Sequence, residues 1–337
     1  MNYSPELTTG TAIALVFFAT FLWNTWAISL KYLGDYPIDG FYITMFATSL
    51  LIVWGVGFAM DGTALIQNIQ DVFANDPSRI LVTILCGFGY VIGMRLSLQV
   101  MSVIGLSLTQ PIASSISIFI GTMTAALIGG VPSGFSVPRM IIACIFLFTA
   151  VGLSVYTGRL RSDAQAEAKV KNSLQYSVSD VWKSVGLVII SSLFIQAYTI
   201  AISYGLRSVT QENGLEVLPF MVMLVTGAFI GAMLLSGSIL TVTRQWGNVR
   251  NAPLSIHKFG VFAGLFHYGG NIIHTYATAF LSSAISWPLG ISGGIWPQFW
   301  GLVYGEYKGS PPRVYVSLSF ALIFNLIGMF LVASMTI

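Results

Sequence analysis

Apolar residues fall into ten long stretches separated by short polar breaks: Thr11–Leu33, Gly40–Met60, Ile80–Val100, Gly105–Gly129, Met140–Tyr156, Val185–Leu206, Leu218–Leu240, Phe259–Leu281, Ser286–Tyr304 and Val314–Met335. Most are close to the ~20 residues that a helix needs to cross a bilayer. The pattern predicts an all-α polytopic membrane protein of ten transmembrane helices. The longest polar break, Gly158–Ser184, divides the helices five and five. The sequence therefore reads as a first five-helix unit (1–157), a linker (158–184) and a second five-helix unit (185–337). The first stretch is too long, and its Glu6 flank too acidic, for a cleaved signal peptide.

Composition excludes the alternative of two soluble domains. Of 337 residues, 55% are hydrophobic and only 8% are charged, against about 25% charged in a soluble domain. A net charge of +3 gives no footprint for nucleic acid. Three His and two Cys are too few and scattered for a metal framework, and no cofactor is expected. Cys86 and Cys144 both lie in apolar runs, so they read as buried small hydrophobes.

Charge also sets an orientation. One set of loops holds Lys31, Arg159, Arg161, Lys169, Lys171, Lys183, Arg244, Arg250, Lys258, Lys308 and Arg313; the other holds only Arg79, Arg139 and Arg207. The linker is expected in the cytosol and both termini outside, in a plasma (inner) membrane.

An internal repeat is visible. Gly105-Leu-Ser-Leu-Thr-Gln-Pro111 aligns with Ser282-Ser-Ala-Ile-Ser-Trp-Pro288, 177 positions later. The same offset places Gly93 on Gly270 and Gly129 on Glu306. Each copy is expected to be helix, tight turn, and helix with Pro in its first turn, where its missing N–H costs nothing. Five helices per half is odd, so the halves must sit in the membrane with opposite topology. Inverted repeats place a binding site near the midplane. Gly89/Gly93, Gly227/Gly231, Gly290/Gly294 and Gly301/Gly305 are GxxxG spacings suited to close helix packing.

Three segments then carry a resemblance: Phe266-His-Tyr-Gly-Gly-Asn271, Ala284-Ile-Ser-Trp-Pro-Leu289 and Tyr304-Gly-Glu-Tyr-Lys308 before an apolar last helix. With Gly105-Leu-Ser-Leu-Thr, Ser114-Ser-Ile-Ser and Gly121-Thr, the chain resembles the drug/metabolite transporter superfamily, in the branch of ureide permeases and bacterial rhamnose or glucose uptake proteins. The resemblance implies two inverted five-helix repeats and uptake of a small polar solute. Plant ureide permeases carry a phosphate-loop-like motif in a longer central loop; no G-x-x-x-x-G-K-[ST] occurs here. Better-studied ten-helix relatives have cytoplasmic termini, opposite to the charge count.

Polar residues inside the membrane are costly and mark candidate sites. In the eighth stretch Gly260, Gly264, His267, Asn271, His274 and Thr278 form one stripe, with the two His about 10 Å apart. Such a stripe serves either a solute or hydrogen bonds between helices. The substrate-binding candidates are Asn24, Gln110, Gln196, His267, Asn271, His274, Trp296 and Gln298. Amides and imidazoles match hydroxyls or amides, and Trp296 with Trp300 offers an aromatic wall. The coupling and gating candidates are His274, His267, Glu306 and Arg95. Arg95 either snorkels to headgroups or meets solute; Glu306, near Lys308, reads as an interfacial gate or ion pair. None of the twelve acids lies at a helix centre, so a coupled proton would ride on His267 or His274. The expected activity is secondary transport of a neutral sugar or ureide/nucleobase-like solute, proton-coupled or facilitated, by a monomer or homodimer in the lipid bilayer. An intramembrane enzyme or a channel is the alternative; no H-E-x-x-H or third metal ligand supports an enzyme.

Overall fold

The computed structural model describes residues 7–104, 113–114, 116–168 and 178–335. Among them the chain is helical, with two isolated bridges in the 205–215 loop. The helices are α1 (Thr9–Thr25, prolonged as a 3-10 helix over Trp26–Tyr32), α2 (Ile38–Asp61), α3 (Ala64–Asn75), α4 (Pro77–Ile104), α5 (Thr122–Gly129, after a π-helical turn at Ser117–Gly121), α6 (Val137–Ala168), α7 (Val178–Tyr204), α8 (Val217–Val242), α9 (Trp246–Arg250), α10 (Leu254–Leu281), α11 (Ser283–Ile291), α12 (Ile295–Val303) and α13 (Pro312–Ala333).

Among the described residues seven helical segments are long and apolar enough to cross a membrane: Thr9–Tyr32, Ile38–Asp61, Pro77–Val100, Val137–Arg161, Gly186–Tyr204, Val217–Val242 and Pro312–Ala333. Their outward faces expose large apolar side chains such as Leu51, Leu81, Leu234 and Phe330. On a soluble protein such a surface would aggregate; in a bilayer it meets lipid. The protein is an all-α integral membrane protein. Helix α10 has 28 residues, enough to span, but its stripe of His, Asn and Gly lowers its hydropathy below the other spans. Its polar stripe is buried against neighbouring helices, while Val261, Leu265 and Phe280 are exposed on its outer face.

Helices α6 and α7 extend into the break read as a linker with short helical pieces, to Ala168 and from Val178; residues such as Arg159, Ala164, Gln165 and Glu167 favour helix. The fourth stretch lies partly outside the described residues, and its remainder carries the π turn. The ninth is not one helix: it starts at Ser283, breaks into a 3-10 turn at Ser292–Gly294, and resumes as α12. Pro288 sits inside α11 rather than in its first turn, removing the bond that residue 288 would give to the Ala284 carbonyl.

Packing follows small residues. A Cβ on Gly87 would collide with the Leu224 carbonyl and one on Gly227 with the Ile84 carbonyl, so α4 and α8 touch backbone to backbone. On the α10–α2 contact, a Cβ on Gly264 would stand 2.5 Å from the Met45 carbonyl and one on Gly260 2.8 Å from Thr44. One on Gly93 would meet the Ser191 carbonyl of α7 (2.7 Å); one on Gly270, 177 positions later, would meet the Ala19 carbonyl and Trp23 of α1 (3.1 and 2.7 Å). Between helices that are not consecutive in the chain, the principal packed pairs are α4 with α7 and α8, α10 with α1 and α2, α2 with α8, α5 with α7, α11 with α1, α5 with α11, and α6 with α13. Exchanging α1 with α7, α2 with α8, α4 with α10, α5 with α11 and α6 with α13 maps this set onto itself.

Gly227→Ala should therefore lower stability by about 1–3 kcal/mol, because the new methyl meets backbone that cannot rotate away. At Gly55 a Cβ would have nothing within 4 Å, so Gly55→Ala should cost nothing. Thermal or denaturant unfolding in detergent distinguishes the two.

Candidate functional site

The buried centre of the bundle lies where α1, α4, α7 and α10 meet. Successive turns of α10 present His267, Asn271 and His274 inward, all under 4% exposed. His267 Nε2 is 2.9 Å from the Tyr90 hydroxyl, and the two rings stack at 5° with centroids 6.0 Å apart. Tyr90 and His267 are themselves 177 positions apart. Trp26 closes the imidazole edge-on at 5.7 Å.

One turn on, Asn271 Oδ1 accepts from Trp23 Nε1 at 2.7 Å. That bond fixes the amide's orientation and leaves Nδ2, a donor of two hydrogens, buried with no partner among the described residues. Gly270 gives Trp23 its room. His274 Nε2 lies 3.3 Å from the Ser286 carbonyl, which can only accept. Nε2 therefore carries the proton, and Nδ1 accepts from the Tyr198 hydroxyl at 3.2 Å. The Trp23 ring packs 4.7 Å from His274.

A second limb reaches the π turn. Gln196 Nε2 donates to Ser117 Oγ (2.8 Å), and Trp287 Nε1 to the Ser117 carbonyl (3.1 Å). Tyr198 lies 5.6 Å from Tyr90 and 5.9 Å from Trp287. The result is a continuous polar-aromatic run from Trp26 to Trp287. Every hydrogen-bonding group in it is neutral when its His are neutral.

The structure thus brings together four of the sequence candidates: His267, Asn271, His274 and Gln196. Asn24 turns elsewhere, donating to the Thr20 carbonyl (2.7 Å) beside Gly293. Trp296 bonds Thr20 Oγ1 (2.9 Å) and packs on Phe17 and Phe21; Trp300 bonds Thr25 Oγ1 (3.1 Å). This aromatic wall lines the other face of α1 from Trp23. Gln298 reaches Ser154 on α6 (2.5 Å). Gln110 lies outside the described residues. Trp23, Tyr90, Ser117 and Trp287 are members of the run not among the sequence candidates; the 177-residue offset applied to His267 points directly at Tyr90.

Arg95 does not snorkel. It forms a bidentate pair with Asp39 (2.7 and 2.8 Å), with side chains only 12% and 6% exposed. Asp39 sits in the first turn of α2, where a helix N-terminus favours negative charge. Glu306 pairs not with Lys308 but with Lys31 at 2.6 Å and Arg161 at 2.8 Å, beside a Tyr32–Tyr304 contact of 3.2 Å. Partial burial would raise the Glu306 carboxyl, but the two cations outweigh it and hold the pKa below the ordinary value. This closure of α1, α6 and the α12–α13 loop persists at neutral pH and is lost as pH falls through that lowered value.

At the opposite end Arg79 bonds Asp76 (3.1 Å), the Tyr204 carbonyl (2.5 Å) and Gln211 (3.3 Å). The Ser78 hydroxyl, followed by Arg79, lowers the Asp76 pKa. Among the described residues no three His, Cys, Asp or Glu side chains converge as a metal site.

No protein-family model and no curated protein matches the chain. A protein of known crystal structure shares the fold over 96% of each chain, with a TM-score of 0.63 at 12% sequence identity; this likeness speaks of fold alone.

Arg95→Met should strand the Asp39 carboxylate and cost about 3–5 kcal/mol. Adding Asp39→Asn should recover most of the loss. A double-mutant cycle on melting stability measures the coupling.

Proposed function

We propose that the protein is a secondary transporter that moves a small neutral polar solute by alternating access, built as two inverted five-helix repeats. The observation that carries this reading is the buried polar-aromatic run at the crossing of α1, α4, α7 and α10, with the unpaired Asn271 amide inside it. Burying a hydrogen-bonding group without a partner costs about 1–3 kcal/mol. A solute carbonyl or hydroxyl would relieve that cost, and the ring faces of Trp23, Trp26, Tyr90 and Tyr198 suit a sugar or a ureide/nucleobase-like ring.

The exchange symmetry of the packed pairs supports the inverted repeat, as does the 177-residue offset linking Tyr90 to His267. The π turn in the fourth stretch and the break in the ninth match the discontinuous helices that transporters place at their sites. The resemblance to the drug/metabolite transporter superfamily points the same way. In this reading the two ends are gates: Lys31, Glu306 and Arg161 on the side of the Lys/Arg-rich loops, and Arg79, Tyr204 and Gln211 on the other. The Lys/Arg-rich side is the cytosol, the membrane is the plasma membrane, and the chain works as a monomer or homodimer. If protons drive uptake, His267 or His274 carries them, as the run holds no carboxylate.

Asn271→Ala should reduce solute counterflow in proteoliposomes by at least roughly tenfold, the equivalent of one lost buried hydrogen bond, while the variant remains folded. Unchanged counterflow removes Asn271 from the site. His274→Gln keeps hydrogen bonding but cannot titrate. It should preserve exchange and abolish accumulation driven by an imposed proton gradient; retained accumulation assigns the proton elsewhere.

A further inference from the structure

Helix α11 begins inside the protein. Ser282, Ser283, Ala284 and Ile285 are between 0% and 2% exposed. The first N–H groups of a helix have no acceptor within it and need a cap, water or ligand. Here the Ser286 N–H bonds the Ser282 carbonyl at 3.0 Å, but the N–H groups of Ser283, Ala284 and Ile285 have no acceptor among the described residues. Ser282 holds the capping position, yet its hydroxyl caps nothing: Oγ is buried and unpartnered. Its backbone, at φ 72° and ψ 157°, turns the chain directly from the end of α10 into α11. The neighbouring Ser283 hydroxyl is already engaged with Ser203 at 3.0 Å and the Ala125 carbonyl at 3.4 Å.

We propose that the buried start of α11 binds a small monovalent anion, either a halide or a small free carboxylate such as acetate. Three backbone donors and one hydroxyl donor without acceptors among the described residues lie within four consecutive residues there, at the positive end of the helix dipole. No charged side chain among the described residues bonds to this turn, so the site offers dipoles but no full positive charge. It suits a monovalent anion; a dianion would lose far more hydration than neutral donors return. The site is one turn of α11 from the Ser286 carbonyl, to which His274 Nε2 of α10 donates, but its existence does not depend on transport.

Purified full-length protein is titrated with sodium bromide, sodium chloride and sodium acetate against sodium sulfate at matched ionic strength, reading apparent melting temperature. Bromide, chloride or acetate should give a saturable rise of about 3 °C or more that sulfate does not. Ala284→Pro deletes one donor at a position where Pro is tolerated, and should weaken the response at least tenfold. Ser282→Asp supplies the protein's own carboxylate. It should melt at or above the anion-saturated wild type and respond to no added anion, which keeps the test decisive if the Pro variant does not fold. A rise with halides assigns a halide site, and a rise with acetate alone assigns a site for a small carboxylate. No saturable rise with any of the three salts, or an equal rise in Ser282→Asp, overturns the proposal. Neither result bears on whether counterflow occurs.

Discussion

The stacked, hydrogen-bonded pair of Tyr90 and His267 anchors the interior. A buried imidazole and a buried phenol are each costly in a membrane, and the bond between them engages the Tyr90 hydroxyl and the His267 Nε2, while His267 Nδ1 has no partner among the described residues. Their 177-residue separation gives the contact a geometric meaning. In a structure built from two equivalent halves, a residue and its mate lie equally far from the axis that relates them. If they touch, both lie at that axis. On the proposed repeat, Tyr90 and His267 mark the centre, and the matching close approaches of Gly93 on α7 and Gly270 on α1 flank it one turn away.

The bilayer explains the rest of the arrangement. Polar side chains cannot face lipid, so those of α10 turn inward and find partners on α1, α4, α7 and α11. Among the described residues the strongly apolar spans present Leu, Ile and Phe outward, and the less apolar α10 keeps its polar stripe buried. Charges are confined to the ends or paired, as Arg95 is with Asp39. The two ends differ in chemistry. One is tied by a carboxylate between two cations; the other depends on a guanidinium that bonds a backbone carbonyl, a side-chain amide and one exposed carboxylate. Such ends would open under different conditions.

Much of the fold was legible because hydrophobic stretch length is a strong signal. The bounds of α2, α4, α8 and α13 lie within a few residues of the apolar runs. Broken elements were not legible: the ninth stretch was read as one helix from its length, although it carries Pro288, Pro297, Gly290, Gly293 and Gly294, residues that weaken a helix, and it breaks at Ser292–Gly294. The stripe of His267, Asn271 and His274 could be read from spacing alone, as helical period places them on one face. Their partners could not. Trp23 and Asn24 are adjacent, and which of them faces α10 depends on the rotation of α1, set by Ala19 and Gly270. Trp296 and Trp300 share a face at i, i+4, but that face packs on Phe17 and Phe21 rather than on the imidazoles. The ion pair of Arg95 with Asp39 joins residues 56 positions apart, beyond any local pattern.

The central claim is that a buried polar interior opens alternately to either side of the membrane. It is tested most directly by thiol accessibility at Thr278, which is 0% exposed, in a Thr278→Cys variant with Cys86 and Cys144 replaced by Ala. A membrane-impermeant maleimide is applied separately to the two faces of sealed vesicles. Alternating access gives modification from both faces, and saturating solute slows both. Modification from neither face in folded protein would identify the run as static core and contradict the claim.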